Sequence, residues 1–230
     1  GKNMRLSPAA VSLFFSLAFC CSPCSPLFAQ ISEIEVTRWH DPDNTVKPLH
    51  EAPVYAAPLV MTRSDHLDMK PGLSKAKQRG RICLVVHEEV KEGIGERLDQ
   101  YVSDLQADAY SVITLTYTSG SPADIRQNLA ALHQESASLC GAVLIGDIPY
   151  IIYELVQNWG EDDEYEDFPC DLFYMDLDGI WEDRGYGEMV EQDNGKYDYR
   201  SGNRDLEIWV SRLKCDNLAA AGPEETLLKQ

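Results

Sequence analysis

The chain has 230 residues, enough for one α/β domain of ordinary size with a leader, and 44% of them are apolar, which excludes a disordered protein. Against 20 basic side chains stand 38 acidic ones, a formal net charge of −18. With no segregated basic patch, that balance excludes a nucleic-acid partner and attachment to anionic lipid through a basic helix face.

Met4 and Arg5 give a short positive start, residues 11–19 form an apolar run too short to span a bilayer, and Leu27-Phe-Ala29 ahead of Gln30 suits signal cleavage. Residues 1–29 therefore read as an export signal, with residues 1–3 upstream of the start methionine. The mature chain is expected outside the cell, at its surface or in a periplasm, with no stable membrane insertion after cleavage. Cys20, Cys21 and Cys24 fall in this leader, so Cys21-Ser-Pro-Cys24 is not read as a redox motif. Cys83, Cys140, Cys170 and Cys215 remain, and in an oxidising compartment they allow three complete pairings, among which the sequence does not choose.

Residues 30–79 read as an irregular lead-in. Prolines at 42, 48, 53, 58 and 71 interrupt any period, and residues 31–36 and 53–61 are at most short or edge strands. His40, His50 and His66 are scattered in polar surroundings without zinc-ligand spacing.

The ordered domain is expected from residue 80. Ile82-Cys-Leu-Val-Val86 reads as a strand buried on both faces. Ile94, Leu98, Tyr101, Val102 and Leu105 then recur at helical spacing, which predicts a helix over 92–107. Residues 110–116 are a β-branched strand; Ser121 and Pro122 open a second helix with Ile125, Leu129 and Leu132 on its apolar face; residues 140–145 are a third strand. This alternation implies a parallel sheet with right-handed crossovers and helices on its faces. Ligands gather beyond the carboxyl ends of such strands, where His87, residues 116–119, Gly146, Asp147, Asp176, Asp178 and the segment after Leu213 are expected. The charge run 161–167 reads as a solvated loop.

Two strand-like runs, 171–177 and 206–213, flank an acidic stretch rich in glycine. Its oxygen donors suit a hard cation, so calcium held by Asp176, Asp178 and Asp183, with Asp193 or Asp198 as further ligands, is the expected metal site. The stretch lacks the third ligand and closing glutamate of an EF-hand. The competing reading is a solvated acidic loop. At the far end, residues 223–230 begin a helix that has no stop signal, so a truncated element is expected.

Ala142-Val-Leu-Ile-Gly-Asp147-Ile-Pro149, Asp171-Leu-Phe-Tyr-Met-Asp-Leu-Asp-Gly179, Glu207-Ile-Trp-Val-Ser-Arg212-Leu213 and residues 224–229 resemble, in that order, the amino-terminal half of gingipain-like cysteine peptidases of the caspase-like clan. The resemblance covers about residues 80–230, and its specificity lies in the order of the segments. Ser211 stands where the family has glycine. The resemblance implies a flavodoxin-like or caspase-like parallel sheet with helices on both faces. It also implies a catalytic histidine and cysteine in a following half, beyond residue 230. The chain would then contain no catalytic or cofactor-binding residue; its partner would be the carboxyl-terminal catalytic half of the same polypeptide, and the substrates would be proteins. Inside the chain only His87 with Cys215 could form a dyad, and neither a His-Gly nor an Ala-Cys pair accompanies them. A secreted, calcium-stabilised binding or adhesion module without peptidase activity is the rival expectation.

Overall fold

A computed structural model describes residues 50–66, 79–135, 139–158, 163–185 and 189–214. The chain divides into two units at Asn44/Thr45, and all described residues belong to the second. The export signal at 1–29, the remainder of the lead-in at 30–49 and 67–78, Cys215 and the helix expected at 223–230 lie outside the described residues.

The unit is a mixed α/β sheet with mostly parallel strands. In chain order its elements are β1 (Val60–His66), β2 (Gly80–His87), α1 (Glu88–Ala107), β3 (Tyr110–Ser119), α2 (Pro122–Glu135) and β4 (Leu139–Ile145). There follow β5 (Ile152–Asn158), β6 (Asp163–Pro169), α3 (Leu172–Met175), β7 (Ile180–Glu182), β8 (Tyr199–Ser201) and β9 (Trp209–Leu213). Five strands form the main sheet in the order β1-β3-β2-β4-β9, and all neighbours but β1 and β3 run parallel. The order reverses between β2 and β4, because α1 carries the chain outward to β3 and α2 brings it back past β2.

Strand side chains alternate between faces, and the two faces have separate cores. Ile82, Leu84, Val86, Val112, Val143 and Ile145 pack on the α1 stripe of Val90, Ile94, Leu98 and Val102. Cys83, Val85, Ile113, Leu115 and Leu144 pack on Ile125, Leu129 and Leu132 of α2 and on Phe173 and Tyr174 of α3. The predicted strands 82–86, 110–116 and 140–145 are thus β2, β3 and β4, with helices on both faces. Helix α1 starts four residues before its predicted start at 92, with Glu88 and Glu89 in its first turn, and Tyr101 is partly exposed rather than in the stripe. Ser121 and Asp124 form a reciprocal cap at α2: the Asp124 carboxylate accepts from the Ser121 N–H at 2.8 Å, and the Ser121 hydroxyl accepts from the Asp124 N–H at 3.2 Å.

Three expectations are corrected. The sheet does not begin at residue 80, since lead-in residues 60–66 form β1, an antiparallel edge strand pairing Met61 with Tyr117 through His66 with Val112. Edge position tolerates its polar, mostly exposed side chains. The run 171–177 is not a strand: Leu172–Met175 form the single helical turn of α3, which buries the adjacent Phe173 and Tyr174 against the sheet. The charge run 161–167 is not all solvated loop, because from Asp163 onward it is β6, paired with β5 in a hairpin. Among the described residues no helix is long and apolar enough to cross a membrane.

Candidate functional site

The segments that carry the sequence motifs meet at Arg212 on β9. Its Nε and Nη2 donate to the two Asp171 oxygens at 2.9 and 2.7 Å, a bidentate pair. The same guanidinium donates to the main-chain carbonyls of Ile148 and, at 3.1 Å, Pro149. Burial disfavours the charged Arg212, but the Asp171 bonds outweigh it and raise its pKa above the ordinary arginine value. Arg212 is therefore a fixed cation that ties the turn after β4 and the start of α3 to the last strand.

Beyond this clamp, at the carboxyl edge of the parallel strands, lies a cleft of about 530 Å³ lined by His87, Tyr117, Asp147, Tyr150 and Lys214 and closed on one side by residues 53–57. This is where an open parallel sheet whose strand order reverses places ligands. Gly146, just after β4, has φ +84°, and a Cβ there would sit 2.7 Å from Val90, so the turn that presents Asp147 requires glycine. Asp147 pairs with Lys214 at 2.5 Å across the mouth. The His87 ring packs at 5.9 Å from Tyr117, whose hydroxyl donates to Gly120 O at 2.8 Å and is pushed up to about 12 by burial. From the lead-in comes Tyr55, whose hydroxyl accepts from the Tyr150 N–H at 3.1 Å. No described thiol opens into this cleft. Burial pushes the Cys83 thiol up to about 12 and raises Cys140 and Cys170, so all three are held as neutral thiols, poor nucleophiles. They are free, and Cys215, which with His87 is the one internal dyad the sequence would allow, lies outside the described residues.

Of the residues expected to hold calcium, Asp176 and Asp178 come together with Glu207, their carboxylate oxygens within 4.8 Å of one another. The group does not share the cleft: Glu207 precedes β9 and so lies toward the amino edge of the sheet. The buried Asp176 carboxylate is already engaged, Oδ1 accepting from Gly179 N–H at 2.7 Å and Oδ2 from Trp181 Nε1 at 3.1 Å and Arg200 Nε at 2.6 Å. Glu207 accepts from Leu177 N–H at 2.6 Å, and Arg126 donates to the carbonyls of Asp176 and Gly179 at 2.8 and 2.7 Å. The Asp176-to-Gly179 segment is an aspartate-centred turn, and a Cβ on Gly179 would lie 2.1 Å from the carboxylate. As a cation site the group fits poorly, because Arg200 already supplies the opposing charge. Asp183 stands apart from it, accepting from the N–H groups of Asp193 and Gly195 at 2.9 Å each, and Asp198 accepts from Arg184 N–H at 2.9 Å.

The hairpins between β4 and β9 hold a second polar cluster that sequence reasoning missed. Glu154 on β5 and Asp167 on β6 are direct cross-strand partners, two buried carboxylates that would repel. Lys196, itself buried, donates to Asp167 and to the Tyr165 hydroxyl, which in turn donates to Glu154 at 2.5 Å. His50 adds its N–H and Nδ1 to Asp167 at 3.1 and 2.8 Å, and Asn194 donates to Glu154 at 2.8 Å. Burial pushes the Asp167 carboxyl up, but the bonds from Lys196 and His50 prevail and hold it below the ordinary carboxylate range. One sequence signal was available: Tyr165 and Asp167 are two apart in a β-period run, so they share a face.

No protein-family model, curated protein or solved structure matches this chain.

Proposed function

We propose that the chain is the non-catalytic amino-terminal subdomain of an exported gingipain-like cysteine endopeptidase, which scaffolds a catalytic half carrying the Cys/His dyad beyond residue 230. The observation that carries this reading is the Arg212 clamp. Three segments singled out by their order in the sequence, 142–149, 171–179 and 207–213, converge on one guanidinium, which a chance resemblance of separate weak motifs would not require. The strand order β3-β2-β4-β9 supports a flavodoxin-like or caspase-like sheet, and β9 pairs on one side only among the described residues, which leaves an edge for the catalytic half. In this reading protein substrates are cut by the second half, while this half sets the carboxyl-edge cleft beside it. The test is a thiol-dependent endopeptidase assay on residues 1–230 and on the polypeptide as encoded past Gln230. Cleavage by the longer chain alone is expected; cleavage by residues 1–230 that disappears in Cys215→Ala would overturn the assignment in favour of the internal dyad.

A second reading, a secreted calcium-stabilised binding or adhesion module, is favoured by the approach of Asp176, Asp178 and Glu207. Thermal melts in chelator, calcium and magnesium at fixed ionic strength separate the two. With Arg200 on Asp176, no calcium-specific shift of the midpoint is expected; a larger shift in calcium than in magnesium would favour the second reading.

A further inference from the structure

A recess of about 290 Å³, distinct from the carboxyl-edge cleft, opens between the β5–β6 hairpin, α3 and β7, and shares Trp181 and Arg200 with the Asp176 turn. Its walls are the rings of Tyr153, Phe168 and Trp181 together with Leu172, and its rim carries Arg200 and Arg204. The Tyr153 ring meets Trp181 edge-on at 5.9 Å and Phe168 at 6.0 Å, so the three rings make a fixed wall rather than a loose patch. Phe168 nevertheless remains 38% exposed, an aromatic face turned to solvent at the mouth.

The rim is positively charged in a chain of net charge −18. Arg200 commits Nε to Asp176 and Nη2 to the Arg204 carbonyl at 3.1 Å, which fixes the Arg204 backbone beside the recess. The Arg204 guanidinium makes no hydrogen bond or ion pair among the described residues, whereas Arg200 beside it is paired to Asp176. No carboxylate among the described residues lines the recess itself, so the Arg204 charge stands beside the aromatic wall without a lining counter-ion. A planar guanidinium fork matches a carboxylate bidentately, and the recess has room for about one ring-sized apolar body, at the lower limit of ligand pockets.

We propose that this recess binds a carboxylate carried on a flat apolar body, with Arg204 as the charge partner and Tyr153, Phe168 and Trp181 as the wall. The same chemistry is offered by a small free acid that bears an aromatic side group and by the chain-terminal carboxylate of a peptide ending in an aromatic residue. The inference does not rest on the peptidase reading. It is tested by calorimetric titration of the whole chain with N-acetyl-phenylalanine, its neutral amide, and a short peptide ending in phenylalanine with a free or an amidated terminus. Both free acids are expected to bind saturably, with the amides weaker by about tenfold, the scale of a charge-assisted hydrogen bond. Arg204→Gln, at an exposed position, should abolish the difference between acid and amide, and Phe168→Ala should weaken both. Equal affinity for the two free acids identifies the small free acid as sufficient; tighter binding of the peptide identifies a chain terminus. Equal binding of acid and amide, no saturable binding of either acid, or unchanged acid affinity in Arg204→Gln would overturn the proposal.

Discussion

The main sheet and the insertion between β4 and β9 hold themselves together by opposite means. Among the described residues, the interior between β2, β3 and β4 and their helices is largely apolar and holds no buried charge, layered by strand alternation on both faces. The insertion places Glu154, Asp167, Asp176, Lys196 and Asp198 among its buried residues, with Lys196 and Arg200 as the counter-charges of Asp167 and Asp176. The first kind of core tolerates shape errors in proportion to volume. The second fails when one partner is removed, because the charge left behind has neither water nor a counter-ion.

That contrast predicts a ranking of mutational costs. Lys196→Met should cost about 3–5 kcal/mol, the scale for breaking a buried pair, since Asp167 and Glu154 would face each other with only His50 and neutral donors to help. Urea unfolding measures it, and a loss below about 1 kcal/mol, the scale of an exposed pair, would show that the cluster is hydrated and the contrast false. Leu144→Ala in the dry core should cost about 2–5 kcal/mol and spread over the whole sheet, because the cavity lies between β4 and α2.

Acid sharpens the comparison. Asp167 is held below its unfolded pKa, so the stability it contributes is present above the unfolded carboxylate value of about 3.9 and is lost as pH falls through the lower folded value. Amides of β5, β6 and β8 should therefore lose exchange protection at higher pH than those of β2 and β4; simultaneous loss would contradict the separation of the two cores. The smallest effect is expected at Gly141. The Trp209 indole lies over it, and a Cβ would sit 2.0 Å from the ring. Gly141→Ala should push this half-exposed ring aside at a cost of roughly 1 kcal/mol, visible as a red shift of tryptophan emission.

The sheet was legible because its signals are local. Residues 82–86 are a continuous apolar run, residues 94–105 keep a helical period, and Ser121-Pro122 announces a cap; each of these is settled within a few neighbours. The insertion was not legible for the converse reason. Phe173 and Tyr174 look like strand residues until α3 buries both, and the charge run looked solvated because Lys196, the partner of Asp167, is 29 residues away. Likewise the spacing of Asp176 and Asp178 suggests a metal, because nothing in it reveals that Arg126 and Arg200 arrive from α2 and β8. Glu207 lies 29 residues beyond Asp178, too far along the chain for spacing to mark it as a neighbour of that pair.

Strand β1 carries a consequence for motion. Among the described residues it precedes every other strand, yet it lies at the outer margin beside β3 and pairs with no other strand there. Its one ladder partner among the described residues is β3, so it can detach without disturbing the pairing of β2, β4 or β9. Such a strand is a natural cooperative opening unit with a free energy well below that of global unfolding. Tyr55 and His50, upstream of β1, hold the cleft and Asp167, so each detachment would loosen one wall of the carboxyl-edge cleft and one clasp on the buried cluster. One peripheral strand thereby couples the access of solvent to two interior places that do not touch each other.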